Sequence, residues 1–137
     1  MSCYVLDACA LVALLRNEAG ADKVAAAINA VNNGEAEIVM HKINLLEVFY
    51  DLYRSLGKET ADLVLSEIKK RPLTINAEVT DEIFTEAGRL KASYKISLAD
   101  SIALAQALVS GGELLTSDHH EFDAIVGCED IIFGWIR

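Results

Sequence analysis

Short apolar segments recur along this chain with helix-period segments between them, and that alternation limits the available folds more than any other feature. CYVL (Cys3–Leu6), EIVMH (Glu37–His41), PLTIN (Pro72–Asn76), ELLTS (Glu113–Ser117) and IIFGWI near the end have the length and apolarity of strands. Between them lie ALVALLRNE, AGADKVAAAINAVNN, INLLEVFYDLYRSLG, KETADLVLSEIKK, EVTDEIFTEAGRLKASY and SLADSIALAQAL, all with helical spacing of apolar positions. The turn at Asn33-Gly34 precedes the second strand, Pro72 is tolerated at the first residue of the third, and Gly111-Gly112 stop the last long helix. Apolar strands separated by helices predict an α/β fold with a parallel sheet of four to five strands, covered on both faces. Residues 1–137 read as a single domain without internal repeats.

Composition narrows the compartment and the partners. Hydrophobic residues make up 53% and there is one proline, so nothing suggests disorder. The longest apolar run, Ala8–Leu15, is too short to span a bilayer, and the N-terminus lacks a secretory signal pattern. Cys3, Cys9 and Cys128 are odd in number, form no CxxC pair and sit among apolar residues. They are expected as buried free thiols, which suits a reducing cytoplasm. Net charge is −9, and residues 97–137 hold seven acids against Arg137 alone. A module that merely wraps nucleic acid should be basic. A site in which cations neutralise the acids before a phosphate arrives is compatible with this balance.

The segment SLADSIALAQAL is apolar on almost every side and should be buried, yet Asp100 lies one turn inside it. An isolated ionised carboxylate there would cost more than a marginal fold can spare. Asp7 and Asp118 stand just past the strands CYVL and ELLTS, where ligands gather in such sheets, and Glu47 lies one turn inside INLLEVFY. One reading makes all four helix caps. Asn44-x-x-Glu47, Ser97-x-x-Asp100 and Asp118-x-x-Glu121 have capping-box spacing, and Asp7 could cap the helix after it. Capping leaves unexplained the apolar setting of Asp7, Glu47 and Asp100, which acids converging on one pocket would account for.

In that order and spacing, VLDACALVALL, LADSIALAQAL and LLTSDHHEF resemble the PIN domain family, over essentially the whole chain, and its length resembles that of VapC-type toxins. The resemblance implies a three-layer α/β/α sandwich and an endoribonuclease dependent on Mg²⁺ or Mn²⁺. It implies Asp7, Glu47, Asp100 and Asp118 as catalytic and metal-holding acids. It also implies RNA as substrate, a cognate antitoxin and a homodimer, with Val48–Tyr53 and Leu63–Ile68 as the expected contact. Cys9 stands where many relatives have Ser, and Asn44 where Thr is frequent, so hydrogen bonding behind the ligands differs. Thr116, Glu121 and Asp123 are further candidates for that outer layer.

The chemistry agrees independently. Carboxylates ~5 Å apart repel by roughly 3 kcal/mol per pair at an effective dielectric of ~20, so four in one pocket would take up protons or a hard cation. The same field would attract a basic segment of an antitoxin, an Arg or Lys taking the metal's place. His119 and His120 are expected as solvent-facing loop residues. Lys42, Arg54, Lys69, Lys70 and Arg71 are expected as surface charges, and Phe49, Tyr50 and Tyr53 as core or partner interface. A haloacid-dehalogenase-type phosphatase is excluded because Cys9 occupies the place of its second Asp, and a receiver domain because its acidic pair and Lys are missing. RNA maturation, DNA cleavage, or a silent PIN-like scaffold remain as alternatives at this stage.

Overall fold

The computed structural model describes all of residues 1–137. In chain order the elements are β1 (Ser2–Leu6), α1 (Ala8–Leu15), α2 (Ala21–Asn32), β2 (Ala36–His41), α3 (Lys42–Leu56), α4 (Lys58–Lys69), β3 (Thr74–Asn76), α5 (Asp81–Ser93), α6 (Leu98–Ser110), β4 (Glu113–Thr116), α7 (His119–Phe122) and β5 (Ile132–Trp135). The five strands form one parallel sheet in the order β3-β2-β1-β4-β5. The class expected from the alternation of strands and helices is the class observed.

Each face of the sheet has its own core, so the architecture is three-layered. Successive side chains of β1 point to opposite faces. Leu6 joins Leu11, Val24, Met40 and Val48 under α1 to α4, while Val5 joins Leu90, Leu104, Leu114 and Phe122 under α5 to α7. Because α6 has Ser101 to Ala107 all buried, its lack of a polar face reflects its place against the sheet and α5. No helix is long and apolar enough to cross a membrane.

Strand order places the functional end. The chain leaves β1 toward β2 on one side and returns to β4 on the other, which makes the carboxyl ends of β1 and β4 the switch point where a crevice opens. The last strand is drawn there by pairing Trp135 with Thr116, and Ile136 N–H donates to the Thr116 carbonyl at 3.0 Å. Gly20, with φ of +97°, fits beneath this segment; a Cβ there would lie 2.7 Å from the Ile136 carbonyl oxygen. Gly20→Ala is therefore expected to cost about 2–3 kcal/mol through strain and a backbone clash. Urea denaturation measures it, and wild-type stability would show that the segment yields freely.

Several local expectations are corrected. The third strand starts at Thr74, leaving Pro72 and Leu73 outside it, and Ser117 lies beyond β4. The short helix α7 was not expected from HHEF. Cys3 and Cys9 are half-buried and free, but Cys128 is exposed, because it follows Gly127 (φ +81°) in a surface turn. Val48, Leu52 and Ile68 belong to the core, so they cannot form the expected dimer contact, whereas Tyr50, Tyr53 and Leu63 of the same segments are exposed.

Candidate active site

Asp7 is the deepest of the four acids, 2% exposed at the end of β1. It caps α1: its Oδ1 accepts from Ala10 N–H at 2.9 Å. Its other oxygen accepts from the fully buried Thr116 hydroxyl, whose Oγ1 in turn accepts from Asp118 N–H at 3.0 Å. A continuous hydrogen-bonded path thus joins the ends of β1 and β4. Thr116, a candidate for the outer layer, bonds the carboxylate directly.

Asp118 caps α7, its Oδ1 accepting from Glu121 N–H at 3.1 Å. Ser97 caps α6 through Asp100 N–H at 3.0 Å, but no bond runs back from the Asp100 carboxylate to the cap amide. Capping is therefore a second job for Asp7 and Asp118, whereas the Asp100 carboxylate feels the cap only through the Ser97 side chain, which opposes its upward shift. The expected box at Asn44-x-x-Glu47 is absent. The cap of α3 is His41, 1% exposed, whose Nδ1 accepts from Ile43 N–H at 3.1 Å while Nε2–H donates to the Glu78 carbonyl at 2.9 Å. These bonds fix the start of the helix that carries Glu47. The sequence signal for this cap is a polar residue that is both the last of β2 and the one before an apolar helix.

Asn44 lies inside α3 and is 1% exposed. Its Nδ2–H donates to the Ala99 carbonyl at 3.0 Å, fastening α3 to the first turn of α6 beside Asp100, and its buried Oδ1 has no partner.

The electrostatics show how far the acids converge. Burial pushes the Asp7 carboxyl up to about 7 against its bonds from Thr116 and Ala10, with repulsion from Asp100 and Asp118 adding to the effect. Burial and then Asp118 raise Asp100 to about 6, with Glu47 and Glu121 contributing. Glu47 is raised by burial and Asp118, while the Asn44 amide opposes. The Cys9 thiol, pushed up to about 12 first by burial, is under the field of all four carboxylates. Asp7, Glu47, Asp100 and Asp118 thus share one neighbourhood, with Glu121 at its margin. No three His, Cys, Asp or Glu side chains close around one point as a closed all-protein metal cage would require.

Asp123 turns elsewhere, to His119 Nδ1 at 2.8 Å. His119 is not a free loop residue: it stacks on Trp135 at 3.8 Å between centroids, and Nε2–H donates to the Arg137 carbonyl at 2.9 Å. Arg54 pairs with Asp51 and Lys70 with Glu67 on the surface, as expected of such charges. Phe49 packs partly into the core, whereas Tyr50 and Tyr53 are about half exposed.

The class defined by fold and site is a parallel α/β sandwich whose Asp7, Glu47, Asp100 and Asp118 act electrostatically on one another or on Cys9 between them. The profile of the PIN domain matches residues 4–127, and the chain belongs to that family. Among solved structures it is similar to VapBC2 from Rickettsia felis bound to a promoter DNA fragment, at 20% identity and TM-score 0.77, covering 97% of this chain and 98% of that one. It is also similar to DNA-bound VapBC from Salmonella typhimurium, at 16% identity and TM-score 0.73 with full coverage of both chains. A third likeness is to Mycobacterium tuberculosis VapC20, a sarcin-ricin loop cleaving toxin, at 13% identity and TM-score 0.66, covering 95% and 98%. No curated protein sequence matches the chain.

Proposed function

We propose that residues 1–137 act as one divalent-metal-dependent endoribonuclease unit, the cytoplasmic VapC-type toxin of a toxin–antitoxin pair. The observation that carries this reading is the joint field of Asp7, Glu47, Asp100 and Asp118 on the Cys9 thiol, at the switch point of the sheet.

The donor set fits a hard cation. All four groups offer carboxylate oxygens, and burial and mutual repulsion hold Asp7 and Asp100 partly protonated near neutral pH, which gives a cation something to relieve. Mg²⁺ or Mn²⁺ keeps several waters and needs only one or two direct carboxylates, so an open arrangement suits it better than a closed cage. Asp7, Asp100, Asp118 and Glu47 would hold it. When bound, such an ion supplies an activated water and offsets charge on the phosphate. Asp7 keeps its orientation through Thr116 and Ala10, Asn44 sets α3 against α6, and in this reading Glu47 or Asp100 would accept a proton from the attacking water.

The likeness to VapBC complexes supports an antitoxin partner, and the acidic pocket favours one with a basic tail that competes with metal. A homodimer is part of the proposal; the exposed Phe84 and Leu98 on α5 and α6 support an apolar contact there. The test is incubation of the purified chain with single-stranded RNA or DNA in EDTA, Mg²⁺ or Mn²⁺. RNA cut internally, with metal only, is the expected result. Cleavage that persists in EDTA, or none with metal, would overturn the reading.

A further inference from the structure

A cleft of about 280 Å³ shares Glu47 with the four-carboxylate site and differs from it in carrying a cation and an aromatic ring. Cys9, Glu47 and Ser117 line it, as do Tyr50 and Arg137, and Ser117 is the neighbour of Asp118 in the chain. Arg137 is the only Lys or Arg on its wall, and its guanidinium takes part in none of the chain's ion pairs. The backbone leading to it, by contrast, is held firmly. Ile136 N–H bonds to Thr116, His119 bonds the Arg137 carbonyl while stacked on Trp135, and Gly20 lies under Ile136. A permanently charged fork on a fixed stem, sharing a cleft wall with Glu18, Glu47 and Asp51 and paired with none of them, has no evident use in holding the fold.

Tyr50 adds the second component. It is 49% exposed, and the Arg54 guanidinium lies 5.8 Å from its ring centroid, leaving ring surface open. Three acids also line this wall, Glu18, Glu47 and Asp51, and of these Asp51 already accepts from both Arg16 and Arg54. Cations that follow a phosphate backbone, set beside aromatic rings on which bases stack, make up sites for single-stranded nucleic acid. A phosphodiester chain offers both a charge and a π-face at every nucleotide, which suits Arg137 and Tyr50 together better than an acidic peptide does.

We infer that this cleft is the subsite for a nucleotide flanking the bond that is cut, with Arg137 clasping a backbone phosphate and Tyr50 stacking the base. The inference rests on the ribonuclease reading above and deepens it. It also answers an electrostatic difficulty: the C-terminal region repels a polyanion, and Arg137 is its only cation.

The experiment compares wild type with Arg137→Gln, Arg137→Lys, Tyr50→Leu and Tyr50→Phe on mixed-sequence single-stranded RNA in Mn²⁺, over a series of salt concentrations. Both positions are exposed, so melting temperatures should stay at the wild-type value. Arg137→Gln should raise KM, leave kcat nearly unchanged, and flatten the slope of log(kcat/KM) against log salt by about 0.7, one phosphate contact on a single strand. Arg137→Lys should restore the slope. Tyr50→Leu should raise KM by roughly 5- to 100-fold without altering the slope, and Tyr50→Phe should recover it. An active wild type whose variants share its KM and salt slope would overturn this inference alone. A wild type that cuts no RNA would overturn the ribonuclease reading and this inference with it.

Discussion

Asp7→Asn is expected to abolish metal-dependent cleavage and, in the same protein, to raise stability when metal is withheld. The two effects have one cause. Asp7 is almost fully buried, with neighbours of like charge, and its carboxyl is raised from 3.8 to about 7. At about pH 8 folding must carry the already ionised carboxylate into that buried setting, at a cost of about 4 kcal/mol before relaxation. Asparagine removes the charge and can still accept from Ala10 N–H, while its amide can donate to Thr116. Allowing about 1 kcal/mol for the rearranged bond, the net gain should be about 2–3 kcal/mol in EDTA. The activity loss should be at least about 100-fold, because losing even a partner behind a metal ligand costs about 10–100-fold and Asp7 would hold the ion itself. Denaturation in EDTA and RNA cleavage in Mn²⁺ check the two halves separately. Retained cleavage would remove Asp7 from catalysis, and a large loss of stability would make its cap on α1 its main role.

The wild-type protein without metal should become more stable as pH falls from about 8 to about 5, opposite to the usual acid response of paired carboxylates. Asp7 (about 7) and Asp100 (about 6) both lie above their ordinary 3.8. Their favourable contribution is complete below 3.8, where both states are protonated, and is lost as pH rises through 6 and 7. Most of the change, about 2–3 kcal/mol, belongs to Asp7, because solvent screens the half-buried Asp100. Saturating Mn²⁺ should flatten the profile by favouring the ionised carboxylates. Urea midpoints across this pH range, with EDTA or Mn²⁺, give the measurement. A flat metal-free profile would mean that these acids are better solvated than their burial indicates.

What sequence could reveal here was whatever depends on near neighbours. The alternation of strands and helices, the buried α6 with Asp100 near its start, and the stop at Gly111 (φ +67°) all follow from spacing and backbone freedom within one element. Contacts between distant elements were hidden. The Thr116 bond to Asp7 crosses 109 positions, and the Asn44 bond to Ala99 crosses 55. Asn44 had the spacing of a cap, but the buried His41 took that role one turn earlier. His119 looked like a loop residue because its partners, Trp135 and Arg137, arrive only when β5 joins the sheet. Val48 and Ile68 looked available for a second subunit until α3 and α4 folded against the sheet and buried them.

The sheet order also sets a timetable. During synthesis β1 emerges first, yet it lies at the centre of the sheet and gains its second neighbour only when β4 is made. A nascent chain stopped before Glu113 has Asp7, Glu47 and Asp100 but neither Asp118 nor the Thr116 hydroxyl, and β1 has one open side. Such distant pairing is slow, and domains complete as units. The acidic centre is therefore among the last parts of the molecule to be assembled, completed only when β4 closes the open side of β1.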